Sequence, residues 1–261
     1  EPVTATGFLG GMSGKYIESQ LDSMDIQNKF ISTDGETRSC IAILSSDKSQ
    51  TEVLENGPYI SEAETLDFYE MYKDIISDYE IICASGSLPK GLGMDTYKEL
   101  IKIANKQGKK FILDTSGEAL RLGIEAAPFL IKPNQEELEK LVGHTIFNED
   151  DIIEGAKYLL GKNINIVVVS LGAEGSMVFS EDYAYRVKVP KVRAVNPVGS
   201  GDSMVAGFAV SILRKYDLET MLKVAAACGT ANAMEAETGK VNMDNVKHIM
   251  DKIIIEKISY K

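Results

Sequence analysis

Residues 195–208 read VNPVGSGDSMVAGF. Gly199, Ser200 and Gly201 form a turn, a run of helical spacing follows, and Asp202 stands where the turn becomes the helix. A glycine-rich turn at a helix start leaves backbone N–H groups open to an anion, and the helix dipole favours negative charge there. A carboxylate in the same place repels that anion. Two readings follow. Asp202 is a helix cap, or the three amides form an anion hole for a phosphoryl group in transfer and Asp202 takes the proton of the attacking hydroxyl.

The pattern upstream decides the fold class. EIICA (80–84), KFILD (110–114), FLIK (129–132) and the nearly continuous apolar run INIVVVSLG (164–172) read as strands. Between them lie helical patterns over Asp95–Gln107, from about Glu118, from Asn134, and over Asp151–Leu160. This alternation predicts an α/β fold, a mostly parallel sheet with helices on both faces and right-handed crossovers. SMVFS and YAYRVKV predict two antiparallel strands, and three helices follow over Ser200–Arg214, Leu218–Ala236 and Met243–Ile255. At the front, VTATGF reads as a strand and Gly14–Met24 as a helix. TRSCIAILSS (37–46) and QTEVLE (50–55) read as a β-ribbon. A ribbon is too small to fold alone, so it is expected to project as a flap, within 36–55, from one domain covering 1–261.

Composition sets limits. The 261 residues are 44% apolar and 26% charged, as in ordinary globular proteins. No apolar run has the length of a membrane span, and no signal peptide is visible. A net charge of −11 argues against nucleic acid as a partner but leaves small anions open. Cys40, Cys83 and Cys228 are far apart with no CxxC pair, which points to a reducing, cytoplasmic compartment. Cys83, in an apolar run, is expected to be a buried thiol. His144 and His248 are isolated, which argues against a histidine metal site or a Ser-His-Asp triad. In GMSGKY (11–16), Tyr16 stands where a P-loop needs Ser or Thr, and no strand leads into GxGxxG. The chain opens on Glu1, directly before an apolar segment, so its true start is expected upstream.

Ligands of an open parallel sheet bind beyond the carboxyl ends of its strands. Those ends carry SGSLPKG (85–91), Asp114, PNQEE (133–137), SLGAEGS (170–176) and NPVGSGDS (196–203). Asn134 and Glu137 share a helix face at i, i+3. They suit Mg²⁺ held partly through water, or a helix cap with a carboxylate in the first turn. Lys132 meets a phosphate or is an edge charge. SLGAEGS admits a nucleotide close to its backbone or is a plain turn. Arg38, on the flap, suits a substrate phosphate or lies in solvent. Ser85 and Ser87 flank Gly86 and could hold a sugar or phosphate oxygen.

Taken together, VNPVGSGDS, IKPNQEE, VVSLGAEGS, SGSLPKG and GETRSCIAIL resemble the PfkB branch of the ribokinase-like carbohydrate kinases. The similarity runs along the whole chain. The runs ETRSCIAIL, SGSLPKG, NPVGSGDS and ANAMEAETGKVN lean toward its tagatose-6-phosphate kinase and 1-phosphofructokinase group. The resemblance implies a ribokinase-like three-layer α/β/α core with a small β lid. It implies ATP as phosphoryl donor and Asp202 as catalytic base, with Gly199, Ser200 and Gly201 as the anion hole. It places Mg²⁺ by Asn134 and Glu137, Lys132 near the phosphates, Ser170, Gly172 and Gly175 along the nucleotide, and Asn232 near the adenine. Arg38 and Ser87 would contact the phosphate already on the sugar. The lid often makes the dimer interface in this family, so a homodimer is expected. The family's opening strand with a substrate-binding Asp, its first lid strands and its GGKG-type motif have no counterpart, and Glu1 falls several tens of residues into the family pattern. The expected reaction is phosphorylation of tagatose 6-phosphate to the 1,6-bisphosphate, with fructose 1-phosphate as the rival acceptor. A non-catalytic sugar-phosphate sensor is the rival of another class.

Overall fold

The computed structural model describes residues 1–45 and 50–259, so residues 46–49 of the expected ribbon lie outside the described residues. The chain divides into two compact units, residues 1–77 with 88–96, and residues 78–87 with 97–261.

In the first unit, β1 (Thr4–Leu9) and β2 (Gln27–Ser32) pair in parallel, from Thr4 opposite Gln27 to Leu9 opposite Ser32. Helix α1 (Gly11–Ser23) is the crossover. It starts three residues before the predicted Gly14. The Glu36 carboxylate accepts from the N–H groups of Met12 at 3.1 Å and Ser13 at 2.5 Å, and so satisfies first-turn donors that a helix leaves open. Those bonds hold the Glu36 carboxyl below its usual range. The predicted ribbon is present as β3 (Cys40–Leu44) and β4 (Gln50–Leu54), paired antiparallel. Helix α2 (Glu62–Ile75) buries Phe68, Tyr72 and Ile75, with the Phe8 ring 4.9 Å from that of Phe68. Neither β2 nor α2 is among the predicted elements.

The second unit holds a seven-stranded sheet. Its first half is parallel: β5 (Ile81–Ser85), β6 (Lys110–Asp114), β7 (Leu130–Ile131) and β8 (Ile166–Ser170). Then β9 (Ser176–Phe179), β10 (Ala184–Lys188) and β11 (Ile254–Lys257) continue it antiparallel, in the order β11-β10-β9-β8-β7-β6-β5. Side chains alternate across a strand. Ile112, Leu130, Val168 and Val178 therefore share one face, where they pack with residues of α7 (Ser200–Leu213), α8 (Leu218–Asn232) and α9 (Met243–Met250). Phe111, Leu113, Val167 and Val169 are buried on the other face. That side carries α3 (Thr96–Lys106), α4 (Gly117–Gly123), α5 (Gln135–Val142) and α6 (Glu149–Leu160). The result is the expected three-layer α/β/α core.

Two expectations are corrected. The helix predicted over Met243–Ile255 stops at Met250, and Ile254–Lys257 form β11 against β10. Three consecutive isoleucines at 253–255 favour an extended chain once a strand edge is at hand. Cys83 is exposed, not buried. It lies on β5, the last strand of the seven-stranded sheet, whose residues are half-buried or exposed where most of β8 is buried.

Candidate active site

The parallel half of the sheet delivers four side chains to one edge. Ser85 ends β5, Asp114 ends β6, Lys132 follows β7 and Ser170 ends β8. Ser85 and Asp114 are register partners.

Helix α7 begins at this edge. Gly199 caps it at φ 85°, a left-handed conformation that glycine adopts without strain. A Cβ on Gly199 would also lie 2.8 Å from the Gly239 nitrogen. The Ser200 N–H donates to the Pro197 carbonyl at 3.1 Å, so it is not one of the bare amides. Among the described residues the N–H groups of Gly199, Gly201 and Asp202 have no partner within the chain. The opening at the start of α7 therefore has three donors, with Asp202 in place of Ser200.

Asp202 is exposed, and its Oδ1 accepts from the Ser85 hydroxyl at 2.8 Å. Behind the turn, Lys132 Nζ lies 3.2 Å from Asp114 Oδ2, with side chains only 9% and 16% exposed. A Cβ on Gly201 would stand 3.3 Å from Lys132 Nζ, so a bare backbone lets the turn approach the ion pair. Burial raises the Asp114 carboxyl above its usual range; Lys132 opposes the rise and the Asp202 charge adds to it. The Glu137 carboxyl is also raised, by burial first, with the Asn134 N–H and Lys132 opposing and Asp114 adding. Asp114 and Glu137 thus both act on Lys132, and Asp202 acts on Asp114. Asp114 was visible as a strand-end residue but given no role; its pairing with Lys132 follows from strand register.

Asn134 and Glu137 form the cap that was one of their two readings. Asn134 Oδ1 accepts from the Glu137 N–H at 2.8 Å, and Glu137 Oε2 accepts from the Asn134 N–H at 2.9 Å. Among the described residues no cluster of three or more His, Cys, Asp or Glu side chains could hold a metal by itself. The surplus negative charge of Asp114, Glu137 and Asp202 nevertheless fits Mg²⁺, which takes one or two carboxylates and completes its shell with water and substrate phosphates.

The other predicted residues disperse. Gly172 and Gly175 bend the chain from β8 into β9 at φ 56° and 89°. Ser170 lines a cavity of about 540 Å³ with Asn134, Glu174 and the buried Arg186. Asn232 is fully buried. Its Nδ2 donates to the Val198 carbonyl at 2.9 Å and reaches Ser200 Oγ at 3.3 Å, while its Oδ1 accepts from Gly239 N–H and the Ser203 hydroxyl. It holds the turn from behind. Ser87 is exposed two residues beyond β5 in the second unit, and Arg38 is exposed just before β3 in the first. A larger groove, about 620 Å³ and mostly apolar, starts at Asp202 and runs past Val210, Val224, Cys228 and Val246. Sequence reasoning missed this groove, because its walls are brought together only by the packing of α7, α8, α9 and the segment around Gly239 and Val241.

Residues 1–244 match the profile of the pfkB family carbohydrate kinases. The chain belongs to the pfkB family. It is therefore a carbohydrate kinase, a phosphotransferase with an alcohol group as acceptor, and kinases of the pfkB family use ATP. Phosphofructokinase-2 from Escherichia coli, solved with potassium, is similar at 29% identity and a TM-score of 0.89, over 96% of this chain and 82% of that one. The same enzyme in complex with fructose-6-phosphate gives 26% and 0.83 over 96% and 82%. A possible 1-phosphofructokinase from Thermotoga maritima gives 25% and 0.89 over 99% and 83%. Among the described residues of this pfkB member no helix is long and apolar enough to cross a membrane.

Proposed function

We propose that this chain transfers the γ-phosphoryl group of ATP to a hydroxyl of a ketohexose phosphate, with Asp202 as general base. One observation carries the reading: the Asp202 carboxylate stands in the first turn of α7, beside open amides and the Lys132–Asp114 pair. The acceptor hydroxyl gives its proton to Asp202. Its oxygen bonds to the γ-phosphorus, the bond from that phosphorus to the bridging oxygen breaks, and ADP leaves with the electron pair. The N–H groups of Gly199 and Gly201 stabilise charge on the transferring group, and Ser200 fixes the turn that aims them. Lys132 adds a cation held in place by Asp114. Asn134 and Glu137 would hold Mg²⁺ through water, and the ion when bound neutralises phosphate charge. The apolar groove beside Asp202 suits a purine ring, while Ser170, Gly172 and Gly175 approach the nucleotide from the β8–β9 turn.

The acceptor we put first is D-tagatose 6-phosphate, on the runs ETRSCIAIL, SGSLPKG, NPVGSGDS and ANAMEAETGKVN. D-Fructose 1-phosphate and D-fructose 6-phosphate are its rivals, given what the similar enzymes are named for. Arg38 and Ser87 are the residues proposed for the phosphate already on the sugar. We also propose a homodimer through the ribbon, because Ile41, Ile43, Val53 and Leu54 stand about half exposed or more.

The test is ADP release with ATP and each of the three sugar phosphates, with Asp202→Ala as control. Turnover on one of them, lost in the variant while nucleotide still binds, is the expected result. A folded protein that binds ATP and the sugar phosphate without turnover would instead be a sensor.

A further inference from the structure

Ser85 stands at the end of β5, and its hydroxyl reaches a residue 117 positions away, Asp202 of α7. Among the described residues it is the one group that hydrogen-bonds the Asp202 carboxylate. A serine hydroxyl has a single proton to donate. At 2.8 Å that proton is spent on Asp202 Oδ1, so Ser85 donates to nothing else.

The backbone that carries Ser85 is fixed. Ser85 pairs in register with Asp114, and the next amide, Gly86 N–H, donates to the Asp114 carbonyl at 3.0 Å. The Gly86 carbonyl accepts from the Thr115 hydroxyl at 2.7 Å and the Tyr97 hydroxyl at 3.0 Å. Three hydrogen bonds from two neighbouring segments, residues 114–115 and α3, therefore fix the backbone beside the Ser85 side chain. Asp202, by contrast, is exposed in a first helical turn, and the outer torsion of an aspartate is broad and roughly two-fold. Left alone, the carboxylate samples orientations in which neither oxygen is aligned with an acceptor hydroxyl. Misalignment of a reacting group lowers rate far more than it lowers binding.

We infer that Ser85 is a positioning residue for phosphoryl transfer: its hydroxyl holds Oδ1 of Asp202 and leaves Oδ2 as the oxygen that takes the acceptor's proton. The inference rests on Asp202 being the base. Ser85 touches neither the sugar nor the nucleotide in this arrangement; it acts through Asp202. Both side chains are exposed, so loss of the hydroxyl leaves the core untouched.

Steady-state kinetics of the full chain, wild type, Ser85→Ala, Ser85→Thr and Asp202→Asn, test it. ATP is the donor, and the acceptor is whichever of D-tagatose 6-phosphate, D-fructose 1-phosphate and D-fructose 6-phosphate turns over. The loss of one hydrogen bond to a charged group predicts a fall in kcat of about 10-fold for Ser85→Ala, with both KM values within about 2-fold. Ser85→Thr keeps the hydroxyl and restores kcat to within about 3-fold of wild type. Asp202→Asn abolishes turnover. A raised acceptor KM with unchanged kcat in Ser85→Ala would show that the hydroxyl binds the sugar, and would overturn the inference. Wild-type kinetics in Ser85→Ala beside a dead Asp202→Asn would sink the inference alone. An active Asp202→Asn, or no turnover of wild type on any of the three, removes the base reading and this inference with it.

Discussion

Asn232 Nδ2 donates to the Val198 carbonyl at 2.9 Å, and the same side chain's oxygen accepts from the Gly239 N–H at 2.9 Å. One fully buried amide thus ties the turn before α7 to the turn after α8. Asn196 adds a second tie, donating to the Ala236 carbonyl at 3.1 Å and accepting from the Val198 N–H at 3.0 Å. The Val198 carbonyl lies in one peptide plane with the Gly199 N–H, so holding it fixes the direction of that open amide.

Asn232→Ala is expected to leave the Val198 carbonyl, the Gly239 N–H and the Ser203 hydroxyl without this partner. Each such group costs about 1–3 kcal/mol when buried, and partial relaxation brings the sum to about 3 kcal/mol. Urea unfolding measures the loss directly. Nucleotide affinity should fall as well, since the loop then relaxes. A variant as stable as wild type would mean that these three contacts are replaced by water at no cost.

The first unit carries a pH-sensitive cap. Glu64 Oε2 accepts from the Ser61 N–H and the Ser61 hydroxyl, both at 2.6 Å. These bonds, the hydroxyl first, lower its carboxyl from the ordinary 4.5 to about 2. A depressed folded-state value means that the unfolded chain binds the proton first as pH falls. The cap's contribution is therefore complete above about 4.5 and is lost as pH falls through about 2. Glu64→Gln should melt below wild type at pH 7, and the gap in Tm should shrink steadily from pH 5 toward pH 2. A gap that stays constant over that range would show that the charge is not what stabilises the start of α2.

How much of this was legible in the chain depends on whether a signal is local. β6 and β8 are buried on both faces, so their apolar runs announce them. The α5 cap is written in Asn134 and Glu137 three positions apart. Ser61 and Glu64 spell the same box before α2. β2 reads QNKFIS, with no alternation, and exists because β1 lies alongside. β11 needs the edge of β10 as well as its own isoleucines. The site divides the same way. Asp202, Lys132 and Asn134 each follow an apolar run or a glycine turn. Ser85 bound to Asp202, Asp114 bound to Lys132, and Asn232 turned inward all depend on registers and helix crossings that no short window contains.

The two glycines of SLGAEGS should respond differently to alanine. At Gly175 (φ 89°) a Cβ would overlap the Val187 carbonyl oxygen, so the backbone must shift. At Gly172 (φ 56°) nothing lies within 4 Å of a Cβ. Gly172→Ala should cost only the left-handed penalty, about 1 kcal/mol. Gly175→Ala should cost clearly more, about 3 kcal/mol, because φ 89° with ψ −125° is a glycine conformation outside the left-handed helical region and the Cβ overlap adds to that strain. Denaturation of both variants, with the KM for ATP alongside, separates a backbone requirement from a ligand one. Equal stabilities with a raised ATP KM in both would assign the glycines to the nucleotide instead.

Lys132 and Asp114 should prove coupled. Lys132→Met leaves a carboxylate that burial already raises, now without the cation that opposes the rise, while Asp202 still adds its repulsion. Breaking a buried pair from one side costs about 3–5 kcal/mol at full burial, and the slight exposure here puts the value nearer 2–3 kcal/mol. Asp114→Asn removes the opposite partner and leaves the lysine unpaired. The double variant removes both charges, so it should recover about 1–3 kcal/mol relative to the sum of the single losses. Turnover should not recover with it, since the proposed mechanism uses the Lys132 cation at the transferring phosphoryl group. A double-variant cycle on urea midpoints gives the coupling, and ADP release on the same four proteins gives the chemistry. Additive stabilities would mean that the 3.2 Å contact contributes nothing to the fold. Restored turnover in the double variant would mean that Lys132 serves only to neutralise Asp114 and takes no part in phosphoryl transfer.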